Sequence, residues 1–205
     1  MRRSLLGLLT VVATAGLLVM AGCERSATLR VTSINGGNTL RSDLSDFYQY
    51  FDKVDSETVT LVQTNPDSVK VELQYVEIGA GMPTWTPYEA LLDQATVTFR
   101  SKLTVDQPPV YQKVIIPLTE AVPADASGKT KVSFWITVIP ATWKQLVFVD
   151  FTNTDDVTYI DLVDLAEATV TFTGYDSVAN RNVSASGKLE VEFGNLYDDP
   201  TRFGK

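Results

Sequence analysis

The chain has 205 residues, a formal charge of −8, one cysteine and no histidine. Ser-His-Asp and Cys-His catalysis, His-ligated zinc and a histidine pH switch are therefore excluded, and a lone thiol excludes an internal disulfide. The acidic balance argues against nucleic acid and anionic lipid headgroups as partners, leaving chemistry run by carboxylates, Lys, Tyr or Ser and hard cations held through oxygen.

At the N-terminus Arg2 and Arg3 precede an apolar run from Leu5 to Met20, followed by Ala21, Gly22 and Cys23. Such a run of about 16 residues is shorter than the roughly 20 a helix needs to span a bilayer. A basic pair, a short apolar core and small residues is instead the order of an export signal. The segment resembles the signal peptide and lipobox of bacterial lipoproteins, in which the Cys becomes the acylated first residue of the mature protein. That resemblance implies loss of residues 1–22, multiple acylation of Cys23 and a short tether over 23–27. The membrane is then a partner through Cys23, since two or more acyl chains hold lastingly where one holds marginally. Glu24, in place of the Asp associated with inner-membrane retention, points to the periplasmic face of the outer membrane, or the cell surface, of a Gram-negative bacterium. Loss of Arg2 and Arg3 takes the formal charge from −8 to −10 and leaves 183 residues, enough for one domain with its own core.

Beyond the tether, residues 28–34 read as a strand ending in the turn Asn35-Gly36-Gly37-Asn38. Leu44, Phe47, Tyr48 and Phe51 have helical spacing behind Asp43, which predicts a short amphipathic helix. From 57 onward the period is two: Val59 and Leu61, then, after the turn 64–67, Val69, Val71, Leu73 and Tyr75. The phase changes at Tyr75-Val76, the signature of a bulge or of a strand passing between sheets. Residues 79–88, with two glycines and two prolines, read as a loop carrying Trp85. Ala95, Val97 and Phe99 mark the next strand, 112–118 another, and 122–128 a polar turn. Val132, Phe134, Ile136 and Val138 form an inward face that leaves Trp135 and Ile139 outward. Residues 146–149, apolar on both faces, predict a central strand.

The acidic stretch 150–164 lacks the spacing of an EF-hand and reads as a solvated loop. If it holds a cation, calcium on Asp150, Asp155 and Asp156 is the candidate. Two clear strands close the chain, one through Ala168, Val170 and Phe172 and one through Leu189, Val191 and Phe193, before a polar tail over 197–205. Between them, Asp176-Ser177-Val178-Ala179-Asn180 resembles the Asp-x-Ala-Gly-Asn turn of many bacterial immunoglobulin-like repeats, with Ala179 where Gly is common. The pentapeptide Ala-Thr-Val-Thr-Phe occurs at 95–99 and at 168–172, and nothing around the two copies repeats.

Eight or nine short strands around one core predict an all-β fold, a two-sheet antiparallel sandwich over 28–196. The layout from Cys23 to the closing hairpin resembles uncharacterised bacterial lipoproteins with an immunoglobulin-like domain, a group that implies location and fold and brings no activity. The expected function is a non-catalytic, lipid-anchored envelope protein that binds another envelope protein or serves structurally, with no cofactor. The alternative is a carbohydrate- or polymer-binding module, for which Trp85, Trp135 and Trp143 would be the stacking platforms.

Overall fold

A computed structural model of the chain describes residues 26–52, 57–78, 89–103, 109–148 and 160–195. Within them the strands are β1 (Ser26–Ile34), β2 (Leu40–Asp43), β3 (Asp46–Asp52), β4 (Glu57–Gln63), β5 (Asp67–Ile78), β6 (Glu89–Ser101), β7 (Val114–Asp125), β8 (Val132–Ile139), β9 (Ile160–Asp176) and β10 (Asn182–Asn195). A 3-10 turn at Asn35–Gly37 and a helix, α1 (Ala141–Val147), complete the described elements. The protein is thus mainly β. Eight strands form one curled, mixed sheet, a half-barrel, in the order β1-β5-β7-β6-β9-β10-β2 with β8 also on β5, while β3 and β4 form a separate ribbon.

The expected architecture is two sheets, antiparallel throughout; the curled sheet is continuous, and two of its pairings are parallel. β2 runs parallel to β10, and the end of β7 runs parallel to β5 through Tyr75↔Ala124 and Val76↔Asp125. β7 follows β6 as far as Pro123, then its last two residues reach β5 just beyond Leu73, where β8 stops pairing. The phase change read at Tyr75-Val76 therefore falls where β5 exchanges one neighbour for another. The strand that crosses is β7, longer than expected because Val122 and Ala124, assigned to a polar turn, are buried in it.

Side chains on the inward phase fill the space between the two halves of the curl: Val69, Val71 and Leu73 of β5 on one side, Val170, Phe172, Val191 and Phe193 of β9 and β10 on the other. Phe134 of β8 meets Phe172 edge-on at 6.2 Å. Across from β1, a Cβ added to Gly187 would lie 2.7 Å from Val31, so β10 approaches β1 at a distance only a glycine allows. The repeated pentapeptide has a structural counterpart, because its copies pair with each other about Val97↔Val170, setting Ala95 against Phe172 and Ala168 against Phe99. Small faces large at both ends of the match, which keeps rung volume even.

Three further expectations are corrected. Residues 46–52 are strand β3 and not helix, pairing Phe47↔Val62, Tyr48↔Leu61 and Tyr50↔Val59 with β4. Aromatic residues suit a strand, and a partner strand outweighs helical spacing. The expected central strand at 146–149 is replaced through residue 147 by α1, which starts directly after Pro140 and leaves Leu146 67% exposed. Ile139 is buried, not outward, because the β5–β8 register shifts between Ser68↔Thr137 and Asp67↔Ile139, leaving Val138 as an extra residue.

Candidate functional site

Cys23, Trp85 and the calcium candidates Asp150, Asp155 and Asp156 lie outside the described residues. Among the described residues, no group of acidic, Cys or His side chains is set to hold a metal ion. The other two tryptophans part company. Trp143 is only 5% exposed, stacks parallel to Tyr111 at 5.7 Å and donates from Nε1 to the Gln112 carbonyl at 2.7 Å. Phe99, Phe148 and Phe193 complete this aromatic cluster. As a stacking platform Trp143 is corrected to core. Trp135, by contrast, is 69% exposed on β8.

Buried carboxylates, the groups a histidine-free enzyme would need, each hold two parts of the fold together. Asp176, at the end of β9, accepts the Tyr75 hydroxyl at 2.7 Å on Oδ2, and the N–H groups of Val178 and Ala179 at 3.0 and 2.7 Å on Oδ1. The left-handed backbone of this turn falls on Asn180, φ 50°, so Ala179 meets no steric penalty. Asp164, expected in a solvated loop, is instead buried on β9, accepting from the Tyr111 hydroxyl and, at 2.8 Å, from Ser101 Oγ. Burial, and then the acid each phenol bonds, push Tyr75 and Tyr111 well above the usual tyrosine range.

A third tie joins α1 to the sheet. Lys144, 1% exposed, places Nζ 2.9 Å from Asp67 Oδ2 and donates to the Asp43 carbonyl, while Ser42 Oγ donates to the same Asp67 oxygen at 2.6 Å. None of these ties was read from the sequence. Tyr75 had a signal: a phenol on an inward phase with Val69, Val71 and Leu73 must find a partner for its hydroxyl. Lys144 had none, since a lysine in a short helix reads as surface.

The surfaces of the two halves differ. On the outer face of β6, β9, β10 and β2, threonines and serines alternate with paired charges: Arg41 with Glu192, Lys102 with Glu190, Lys188 with Glu167. Hydrogen bonds from Lys188 and Lys102 hold Glu167 and Glu190 below the usual carboxylate range. A shallow pocket of about 270 Å³ lies beside the Asn35–Gly37 turn, lined by Asn38, Thr39, Lys188 and Glu190. Its polar groups are engaged already, Glu190 accepting from both Thr39 and Lys102. The outer face of β1, β5 and β8 is different in kind. Trp135 sits in register with Lys70, and Ser133 with Glu72, whose carboxylate Lys131 meets at 3.3 Å. Arg30 of β1 lies opposite Gln74 on the same exposed phase.

A scan of the sequence against protein-family models found no match, and a search of curated proteins found no similar sequence.

Proposed function

We propose that this protein is a lipid-anchored, non-catalytic module of the bacterial cell envelope, held through Cys23 and binding another envelope protein or serving structurally. The observation that carries the reading is the order of the first 23 residues: a basic pair, a short apolar run, two small residues and the only cysteine. Two buried acids, Asp164 and Asp176, and the partly buried Asp67 support the non-catalytic part, for each has bonds that tie elements together. We further propose that the half-barrel is a distorted immunoglobulin-like sandwich, with β7 bridging its sheets at one corner and the β9–β10 hairpin closing it. The carbohydrate alternative loses Trp143 to the core, and among the described tryptophans keeps Trp135 alone.

Metabolic labelling with an acyl-chain analogue is expected to tag the wild-type protein and not Cys23→Ser. Equal labelling of both removes the anchor. Pull-down from membranes is expected to recover a reproducible envelope protein, and turnover of a glycan by the purified protein would sink the non-catalytic reading.

A further inference from the structure

We infer that the outer face of β1, β5 and β8 docks on an anionic phospholipid surface, with Trp135 seated at the headgroup level and Arg30, Lys70 and Lys131 around it. The inference rests on the proposed anchor at Cys23 and adds to it a second, non-covalent contact.

Chain length supplies the first argument. Only Glu24 and Arg25 separate Cys23 from Ser26, the first residue of β1. Three extended steps reach about 11 Å at most, less than the length of β1 itself. An acylated Cys23 therefore brings the start of β1 against the membrane, so that some surface of the domain must face the lipid closely.

Charge selects the surface. The chain as a whole is acidic, at −8, and a uniformly acidic surface would be repelled by anionic headgroups. The face around Trp135 has the opposite sign. Arg30 and Lys70 are exposed and make no ion pair among the described residues, while Lys131 and Glu72 offset one another at 3.3 Å. Asp125, opposite Val76 at the edge of this face, and the exposed Lys129 of its turn add one charge of each sign, so four basic groups stand against two acids. On the outer face of β10 and its neighbours, by comparison, three basic residues are each matched by a glutamate. Near an anionic leaflet each unopposed basic residue raises partitioning by about fivefold.

Trp135 is the third, independent observation. It is 69% exposed in the middle of an otherwise polar face, flanked along β8 by Ser133 and Thr137 and across the pairing by Lys70. An indole with its ring in the acyl boundary and its N–H among headgroups has both parts solvated suitably, which is why tryptophan concentrates at that depth. With long basic side chains beside it that keep their charged ends in the headgroup layer, the face matches an interface and not a hydrocarbon interior.

The experiment uses the full acylated chain in vesicles of phosphatidylethanolamine and phosphatidylglycerol containing lipids brominated near the headgroup end of the acyl chain. Tryptophan quenching is compared between wild type and Trp135→Phe. The expected result is quenching that depends on Trp135, falls with added salt and is weak in phosphatidylcholine vesicles. Arg30→Glu with Lys70→Glu should abolish it while the acyl chains keep the protein on the vesicles, and Arg30→Lys with Lys70→Arg should preserve it. Unchanged thermal midpoints would show that these surface variants are folded. Absence of Trp135-dependent quenching in vesicle-bound protein overturns the inference, as does quenching indifferent to lipid charge or to the charge reversal. Failure of the anchor is separable: Cys23 that takes no acyl label, with Trp135 still quenched by added anionic vesicles, removes the anchor and leaves the docking face.

Discussion

Replacing Lys144 with Met tests whether a buried ion pair, and not packing alone, holds α1 on the sheet. The methionine keeps most of the side-chain volume, so the perturbation is the loss of the ammonium group. Asp67 then keeps one hydrogen bond, from Ser42 at 2.6 Å, and the Asp43 carbonyl loses its donor. Removing one partner of a fully buried pair costs roughly 3–5 kcal/mol because a charge is left without its counterion. The Asp67 side chain is 18% exposed, so water solvates it in part, and the expected loss lies at the lower end, about 3 kcal/mol. For a domain of this size that lowers the thermal midpoint by roughly 6–12 °C. Adding Asp67→Asn to Lys144→Met removes the stranded charge while keeping an acceptor for Ser42, and about half of the loss should return. Urea unfolding of wild type, both single variants and the double variant closes the cycle. A Lys144→Met protein as stable as wild type, or a double variant no better than the single, would refute the reasoning.

Two other outcomes follow from the same structure. Tyr75 and Tyr111 stay protonated in the fold above the ordinary tyrosine pKa of 10.0, whereas the unfolded chain ionises there. Their contribution to stability is therefore complete below about pH 10 and is lost as pH rises past it. Alkaline unfolding followed by phenolate absorbance should show one tyrosine fewer ionising only with unfolding in Tyr75→Phe than in wild type, and likewise in Tyr111→Phe. The second outcome concerns Gly174, where an added Cβ would lie 2.1 Å from the Leu91 carbonyl oxygen, at the bulge that makes Asp93 an extra residue between β6 and β9. Gly174→Ala is expected to cost about 3 kcal/mol, since backbone must move to admit the methyl; a wild-type urea midpoint would show that the two strands lie farther apart than described.

Strands whose alternation is local were legible without the structure. Val69, Val71, Leu73 and Tyr75 all lie on the inward phase and are buried, as are Leu189, Val191 and Phe193. What local pattern could not weigh was choice of partner. Phe47, Tyr48 and Phe51 satisfy a helical spacing and a strand equally well until β4 is placed beside them. The parallel pairings of β2 with β10 and of β7 with β5 join residues far apart in the chain, and nothing near either strand announces them. Trp135 was legible as outward from the phase of its neighbours, whereas Ile139 was misplaced by a bulge one residue earlier. Of the candidate site, composition pointed away from lipid headgroups, because a sum over the chain has no directions in it.

The acidic residues show how far that sum can mislead. Asp67, Asp164 and Asp176 count toward the net charge, yet each is turned inward onto a lysine, a tyrosine or backbone N–H groups. Each also spans a seam: Asp176 joins β9 to β5 across the core, Asp164 joins β9 to β6 and to Tyr111, and Asp67 joins β5 to α1 and β2. A chain with one cysteine has no disulfide with which to close such seams. Using acids there withdraws negative charge from the surface, and Glu167, Glu190 and Glu192 are matched by basic neighbours on the opposite face. A protein of acidic composition is thereby able to keep one basic face, and that face is the one that carries Trp135 and the first strand after the proposed anchor.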